Sequence, residues 1–348
     1  MIETSSRQRA RDLGIAPGQL PTGPLNAITD VPGVRIGHVT LIEGERTRTG
    51  ATAILPHGGN LYADKVPAGL AILNGYGKLA GATQVLELGE VETPILLTNT
   101  LGVGRAIEAI NRWTLAQKGN ERVGSVNAVV GETNDGRLND IRAAFPTSEQ
   151  MMAAIAAAQG GAVAEGCVGA GTGTVAFGYK GGIGTSSRRV DAAGGHYHLG
   201  VLVQSNYGGT LRIDGRAWAG DAAETDGSIM IVLATDAPLS DRNLRRLAAR
   251  CFGGLARTGA ALSNGSGDYA LAFSTAPEIR RTPERRQKLA AVTEIPNDQI
   301  SPLFLAAIEA TEEAILNSLF MAVTMTGFDV ARQRQVTVAA LPLDRLRR

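Results

Sequence analysis

The stretch Ser263-Asn264-Gly265-Ser266-Gly267-Asp268 offers the clearest chemistry in this chain. Asn-Gly followed by Ser-Gly-Asp marks a loop, because Gly and Asn reach positive φ cheaply, and a plain turn is the simplest reading. The pair Gly265-Ser266 also fits a self-cleavage site. Gly265 has no Cβ, so its carbonyl is open to attack and its backbone tolerates strain. Attack by the Ser266 hydroxyl would cut the chain and leave Ser266 with both a hydroxyl and a free α-amine. An α-amine titrates near about 7.7–8.0, close to the working pH of a general base. Such a serine is activated by its own amine and needs no histidine.

Other catalytic patterns have less support. The four histidines are His38, His57, His196 and His198, and none sits in a nucleophile-elbow or metal pattern. His196 and His198 would share one face of a strand, but no third ligand follows at a suitable spacing. A Ser-His-Asp triad lacks its Gly-x-Ser-x-Gly elbow, and residues 263–267 are only its nearest approach. Gly169-Ala170-Gly171-Thr172-Gly173 is neither a dinucleotide fingerprint nor a P-loop, and reads as tight loops packed close to a site.

Further motifs run along nearly the whole chain. They are Ile28-Thr29-Asp30-Val31-Pro32-Gly33-Val34, Leu96-Leu97-Thr98-Asn99-Thr100-Leu101-Gly102-Val103-Gly104 and Gly131-Glu132-Thr133-Asn134-Asp135-Gly136 with Leu138-Asn139-Asp140-Ile141. Then come Gly171-Thr172-Gly173, Lys180-Gly181-Gly182-Ile183-Gly184-Thr185, Gln204-Ser205-Asn206-Tyr207-Gly208, Ser266-Gly267-Asp268 and Ala310-Thr311-Glu312-Glu313-Ala314. In number and order these resemble the DmpA family of L-aminopeptidase/D-amidase/D-esterases and β-peptidyl aminopeptidases. The resemblance implies a precursor that cuts itself before Ser266. It also implies a four-layer α/β/β/α arrangement and a homotetramer.

The same resemblance assigns roles to single residues. Glu132, otherwise a solvated carboxylate just past a strand, would anchor the charged amine of a substrate, as an aminopeptidase requires. Two residues on, relatives often carry a tyrosine implicated in the oxyanion site, and this chain has Asn134. An amide also donates a hydrogen bond, so the departure bears on substrate preference. Asn206, by itself a turn residue, would supply an oxyanion-stabilising amide, a donor worth roughly 2.7–4 kcal/mol in such sites.

Glu312 and Glu313 lie on a long helical segment. Ile308, Ile315 and Leu319 stand at offsets of −4, +3 and +7 from Glu312, which puts Glu312 on the apolar face and leaves Glu313 with Glu309 and Asn317 on a polar one. A carboxylate aimed into a core needs a partner. The Ser266 amine is the expected one. The family pairs a serine with a glutamate two residues on, which puts Ala310 at the serine position if Glu312 is the glutamate and Thr311 there if Glu313 is; the helical face favours Glu312, with the Thr311 hydroxyl as the candidate substitute for the missing serine.

The elements that must position these groups follow from composition and pattern. The chain has 348 residues, 44% of them hydrophobic, enough for one large domain. A net charge of +1 argues against a nucleic-acid surface. Cys167 and Cys251 make no disulfide framework. The first residues lack a signal-peptide core, and no run of about 18 apolar residues suggests a membrane span. A soluble cytoplasmic protein is the expectation.

Residues 1–25 read as a polar arm. Strands are predicted at 34–39, 51–55, 69–73, 94–98, 127–130, 198–204, 228–234, 269–274 and 335–341, with a strand-like alternation within 171–189. Helices are predicted at 78–89, 104–118, 148–159, 303–326 and from Ser240 onwards. Ser240 is the expected cap of a basic helix whose apolar stripe is Leu244, Leu247, Ala248 and Cys251. Residues 280–288 read as a solvated loop or helix face. Strands interleaved with helices imply a layered α/β or α+β core.

Together these readings indicate a single peptidase domain, cut into residues 1–265 and 266–348. It would hydrolyse short peptides, amino acid amides or esters through an acyl-enzyme on Ser266, with no cofactor. The rivals are an acyltransferase of the ornithine-acetyltransferase type, which uses a threonine where this chain has Ser266, and a non-catalytic scaffold. A gel showing two fragments or one separates the enzyme from the scaffold.

Overall fold

Short apolar runs bounded by glycine and polar turns become the strands of two large sheets. The computed structural model describes residues 7–218 and 226–346. In chain order the strands are β1 (Arg35–Glu43), β2 (Thr47–Leu55), β3 (Val66–Gly75), β4 (Leu79–Ala80), β5 (Glu90–Val91), β6 (Ile95–Asn99), β7 (Val129–Thr133), β8 (Val175–Ala176) and β9 (Tyr179–Lys180). They continue with β10 (Gly182–Ala192), β11 (Gly195–Asn206), β12 (Arg212–Ile213), β13 (Arg216–Ala217), β14 (Ser228–Thr235), β15 (Gly267–Ser274), β16 (Met325–Asp329) and β17 (Arg334–Val338). The helices are α1 (Ala82–Leu88), α2 (Val103–Leu115), α3 (Ser148–Ala156), α4 (Asp241–Arg257), α5 (Pro283–Arg286) and α6 (Ser301–Phe320). One sheet has the order β1-β2-β6-β7-β4 and the other β10-β11-β14-β15-β3-β5.

The sheets pack face to face and each carries helices on its outer side. Ile54, Leu97 and Val129 meet Leu202, Val232 and Leu271 between the sheets. The neighbouring residues Ala53, Leu96 and Val130 point the other way, onto α2 and α3. Val201, Ile231 and Ala270 likewise face α4 and α6. A strand buried on both faces must be apolar at every position, which is why β6, β14 and β15 read as continuous apolar runs rather than alternations. This is the four-layer α/β/β/α arrangement.

Helix α4 begins as its sequence dictates. The Ser240 side chain accepts from the Asn243 amide, Asp241 sits in the first turn, and Leu244, Leu247, Ala248 and Cys251 are fully buried. Helix α6 lies against β10 so closely that a Cβ on Gly184 would run into the Ala314 carbonyl. Only glycine allows that approach.

Two expectations about the α6 region are corrected. The helix stops at Phe320, and Met325 and Thr326 open β16 instead. Its polar face is not the solvent face: Glu309, Glu313 and Asn317 are all buried. Arg188 of β10 reaches Glu309 at 3.2 Å and Glu313 at 2.8 Å. The arm that follows residue 7 covers the rest. Arg11 Nε donates to Glu313 at 2.9 Å, the Gln19 and Leu20 amides donate to Glu309, and the Ala10 amide donates to Asn317 Oδ1. Burying three polar side chains is tolerable because each has its hydrogen bonds.

Candidate active site

One end of each sheet opens into the same place. In the larger sheet the register pairs Asn206 with Ser228, Ser228 with Gly267, and Gly267 with Gly75, so the ends of β11, β14, β15 and β3 lie side by side. In the smaller sheet Thr98 pairs with Glu132 near the ends of β6 and β7. Between them is a cleft of about 1140 Å³, lined among others by Glu132, Asn134, Asn206, Lys78, Thr100 and Gly265.

The loop after α4 brings Ser263, Asn264 and Gly265 to the lining of the cleft, with Ser266 buried directly behind them. The Ser266 amide donates to the Ser263 carbonyl at 3.0 Å, closing a tight turn, and Ser263 Oγ donates to Asp226. The Ser266 carbonyl accepts from Tyr76, and the Gly267 amide donates to Gly227, so strand pairing starts immediately after the serine. Ser266 is only 3% exposed, and its hydroxyl donates to Asp268 Oδ1 at 2.7 Å. Asp268 Oδ2 accepts from the Asn74 side-chain amide at 2.8 Å. Burial pushes the Asp268 carboxyl up from its ordinary range, opposed by the hydrogen bonds from Ser266 and Asn74. The sequence reading assigned Asp268 no role. Ser266 is the residue immediately before β15 and Asp268 the second residue of the strand, so this hydrogen bond spans the loop–strand junction.

Glu132 lies within β7 rather than past its end, and is 3% exposed. Its Oε1 accepts from the Lys78 amide at 3.0 Å, with the Lys78 ammonium 3.7 Å away, and its Oε2 accepts from the Thr100 hydroxyl. The Lys78 side chain is more than half exposed, so the carboxylate meets the cleft with a solvated cation beside it. Burial first, then the charges of Glu132 and Asp268, raises the nearby Tyr269 hydroxyl above its ordinary value.

The two amides are held by their oxygens. Asn206, the last residue of β11, accepts from the Val175 amide at 2.9 Å through Oδ1. Asn134 Oδ1 accepts from the Gly136 amide at 2.9 Å, closing an Asx turn. In each case the hydrogen bond assigns the donor end, Nδ2, as the group left for a ligand.

Thr311 and Glu312 are placed elsewhere, and neither is among the residues lining the cleft. The Thr311 hydroxyl donates to the Ala307 carbonyl within α6. Glu312 faces α4, where Arg257 Nη1 lies 3.2 Å from Oε2. Its carboxyl is pushed up by burial and pulled back by Arg257. The carboxylate hydrogen-bonded to Ser266 is therefore that of Asp268, and the more deeply buried glutamate of the pair is Glu313. His196 and His198 pair with Asp191 and Asp236 at the other end of β11.

Comparison with known proteins identifies the family and the fold. The sequence profile of peptidase family S58 matches residues 26–333. The β-peptidyl aminopeptidase BapA of Sphingosinicella xenopeptidilytica is 40% identical across 98% of this chain and 90% of its own. A Pyrococcus horikoshii protein of known structure superposes with a TM-score of 0.90 at 46% identity, covering 97% of each chain. The L-aminopeptidase D-Ala-esterase/amidase of Ochrobactrum anthropi, described as a prototype for the serine aminopeptidases and a variant of the Ntn hydrolase fold, superposes with a TM-score of 0.88 at 37% identity over 97% of this chain and 96% of its own. The chain thus belongs to peptidase family S58, with the N-terminal-nucleophile hydrolase fold that its relatives share.

Proposed function

We propose that this protein is a self-processing serine aminopeptidase and amidase that works through an acyl-enzyme on Ser266. The observation that carries this reading is that Gly265, the residue before Ser266, lines one cleft together with Glu132 and Asn206. Cleavage of that bond yields residues 1–265 and 266–348. The freed Ser266 amine then acts as base for its own hydroxyl. Glu132 holds the substrate ammonium, and the Nδ2 groups of Asn206 and Asn134 stabilise the oxyanion. Water releases the acyl group. For Thr311 and Glu312, a part in tuning the amine rests on the family pattern alone.

The substrates on this reading are short peptides, amino acid amides and esters with a free amine. Relatives named for β-peptidyl aminopeptidase and for L-aminopeptidase and D-Ala-esterase/amidase activities support that class. A homotetramer is the assembly the family pattern favours, and a cytoplasmic location is the reading of the sequence. The experiment is a denaturing gel with mass spectrometry, followed by turnover of β-alanyl and L-alanyl p-nitroanilide. Two bands, the smaller starting at Ser266, and release from the free but not the N-acetylated amides are expected. One intact band with no turnover would overturn the reading.

A further inference from the structure

The cleft has a direction. Glu132 stands where β3 ends, so close that a Cβ on Gly77 would lie 3.2 Å from its Oε1. Ser266, just before β15, is the next strand along the larger sheet, and Asn206 at the end of β11 is two strands further. Asn206 holds the Val175 amide of β8, and the Lys180 amide of β9 donates to the Ala339 carbonyl just past β17. The cleft thus leads from Glu132, past the serine and the Asn206 amide, towards β17. The other charges on this part of the wall are Lys78, beside Glu132, and Asp226, which accepts from Ser263 Oγ.

Arg137 stands at the far end. The chain leaves β7 through the Asn134 turn and runs back to β2, where the Asp140 amide donates to the Arg46 carbonyl at 2.8 Å. Lys78 leads instead into β4, on the opposite flank of β7. The hairpin β16–β17 clamps the returning segment. The Val330 amide donates to the Gly136 carbonyl at 3.0 Å, and the Phe328 amide to the Leu138 carbonyl at 2.9 Å. Arg137 lies between these two bonds and lines both the cleft and a second cavity of about 420 Å³. That cavity adds Arg332, Arg334, Gln335 and Thr337, and no carboxylate lines it among the described residues. Arg332 Nη1 donates to the buried Asp329 at 2.6 Å, and the strand register sets Arg334 opposite Asp329.

We propose that Arg137, backed by Arg334, binds the C-terminal carboxylate of a peptide substrate, so that the enzyme prefers peptides with a free C-terminus to their amides. This deepens the aminopeptidase reading and rests on it. Glu132 takes the ammonium, Ser266 the carbonyl, and the leaving residue extends towards Arg137. A short peptide is a zwitterion, and the cleft offers a carboxylate and then a guanidinium in the matching order. The guanidinium suits this task because its planar fork meets a carboxylate through two parallel hydrogen bonds. An amino acid amide fills only the Glu132 end of the roughly 1140 Å³ cleft and leaves the arginine end unused.

The test measures kcat/KM for β-alanyl-L-alanine and for its C-terminal amide, which differ only at the carboxylate. Wild type should favour the acid. Arg137→Gln should reduce the acid-to-amide ratio about 10–100-fold, as the loss of a charge-assisted hydrogen bond does. Arg137→Lys should recover part of the ratio, because it restores the charge without the fork. The α-amide of β-alanyl-L-aspartate carries its carboxylate on the side chain and should behave as the neutral amide. A preference for it equal to that for the acid would assign the arginines to acidic side chains and overturn the C-terminal reading. Equal rates for acid and amide in wild type, or an unmoved ratio in Arg137→Gln, would overturn the subsite and leave the aminopeptidase standing. No turnover of any of these substrates by wild type would overturn the aminopeptidase reading and the subsite with it.

Should Arg137→Gln lose all activity, wild type decides by its response to salt. Raising sodium chloride from about 0.05 M to about 0.5 M should lower the acid-to-amide ratio, because the attraction between guanidinium and carboxylate is screened. A ratio indifferent to salt would overturn the proposal.

Discussion

Arg188 and Glu313 meet 2.8 Å apart, and neither side chain has any exposed surface. This pair ties the middle of β10 to α6, and the arm seals it through Arg11 and Asn26. Removing one partner leaves a buried charge uncompensated, which typically costs about 3–5 kcal/mol. Arg188→Ala should therefore lower the urea midpoint sharply. A loss below about 1 kcal/mol would show that the seam is wet or rearranges.

Ser266→Ala should abolish both cleavage and turnover, because the attacking oxygen is gone. The fold should persist, since the serine sits just before β15 and its backbone hydrogen bonds to Ser263 and Tyr76 do not need the side chain. Normal cleavage of this variant at the same bond would remove Ser266 from the mechanism.

Glu132→Gln should raise KM for substrates with a free amine and leave self-cleavage largely intact, since the precursor has no amine to anchor. The Lys78 and Thr100 hydrogen bonds have acceptors or donors in glutamine too, so stability should change little. Equal loss of processing and of turnover would mark Glu132 as structural.

Glu312→Gln tests whether a carboxylate beside Arg257 still acts on the Ser266 amine. If it does, it favours the ammonium and raises that pKa, so its removal should move the acid limb of kcat/KM toward lower pH and lower kcat. Glu313→Gln, inside the Arg188 seam, should instead reduce stability and leave the limb in place. An unmoved limb in Glu312→Gln would leave Asp268 as the carboxylate that governs Ser266.

Glu165 makes a pH prediction with a defined sign. Burial raises its carboxyl to about 7 from an ordinary 4.5, even though Arg9 Nε lies 2.7 Å away. A carboxyl with a raised folded pKa binds its proton more tightly when folded. The stability from that proton is complete below the unfolded value and is lost as pH rises through about 7. Glu165→Gln mimics the protonated state, so its Tm relative to wild type should increase between about pH 5 and about pH 8. A difference that shrinks over this range would show that the Arg9 pairing dominates.

The amino-acid sequence by itself determined what local physics controls. Continuous apolar runs fixed the buried strands, Ser240 and Asp241 fixed the start of α4, and the ordered motifs marked Glu132, Asn206 and the Gly265-Ser266 pair, all of which meet the cleft or border it. Which face of an element is buried was settled only by the tertiary structure. Helical spacing put Glu312 and Glu313 on different faces but gave the buried place to the wrong one, because Arg188 and the arm cover Glu313 while Glu312 meets the half-exposed Arg257. Likewise Ser266 and Asp268 are close in sequence, yet only the pairing of Asp268 with Asn74 across β15 and β3 turns that proximity into an oriented hydrogen bond. Periodicity depends on the chain's own geometry, whereas burial and hydrogen-bond partners depend on segments far away in sequence that share no local signal with it.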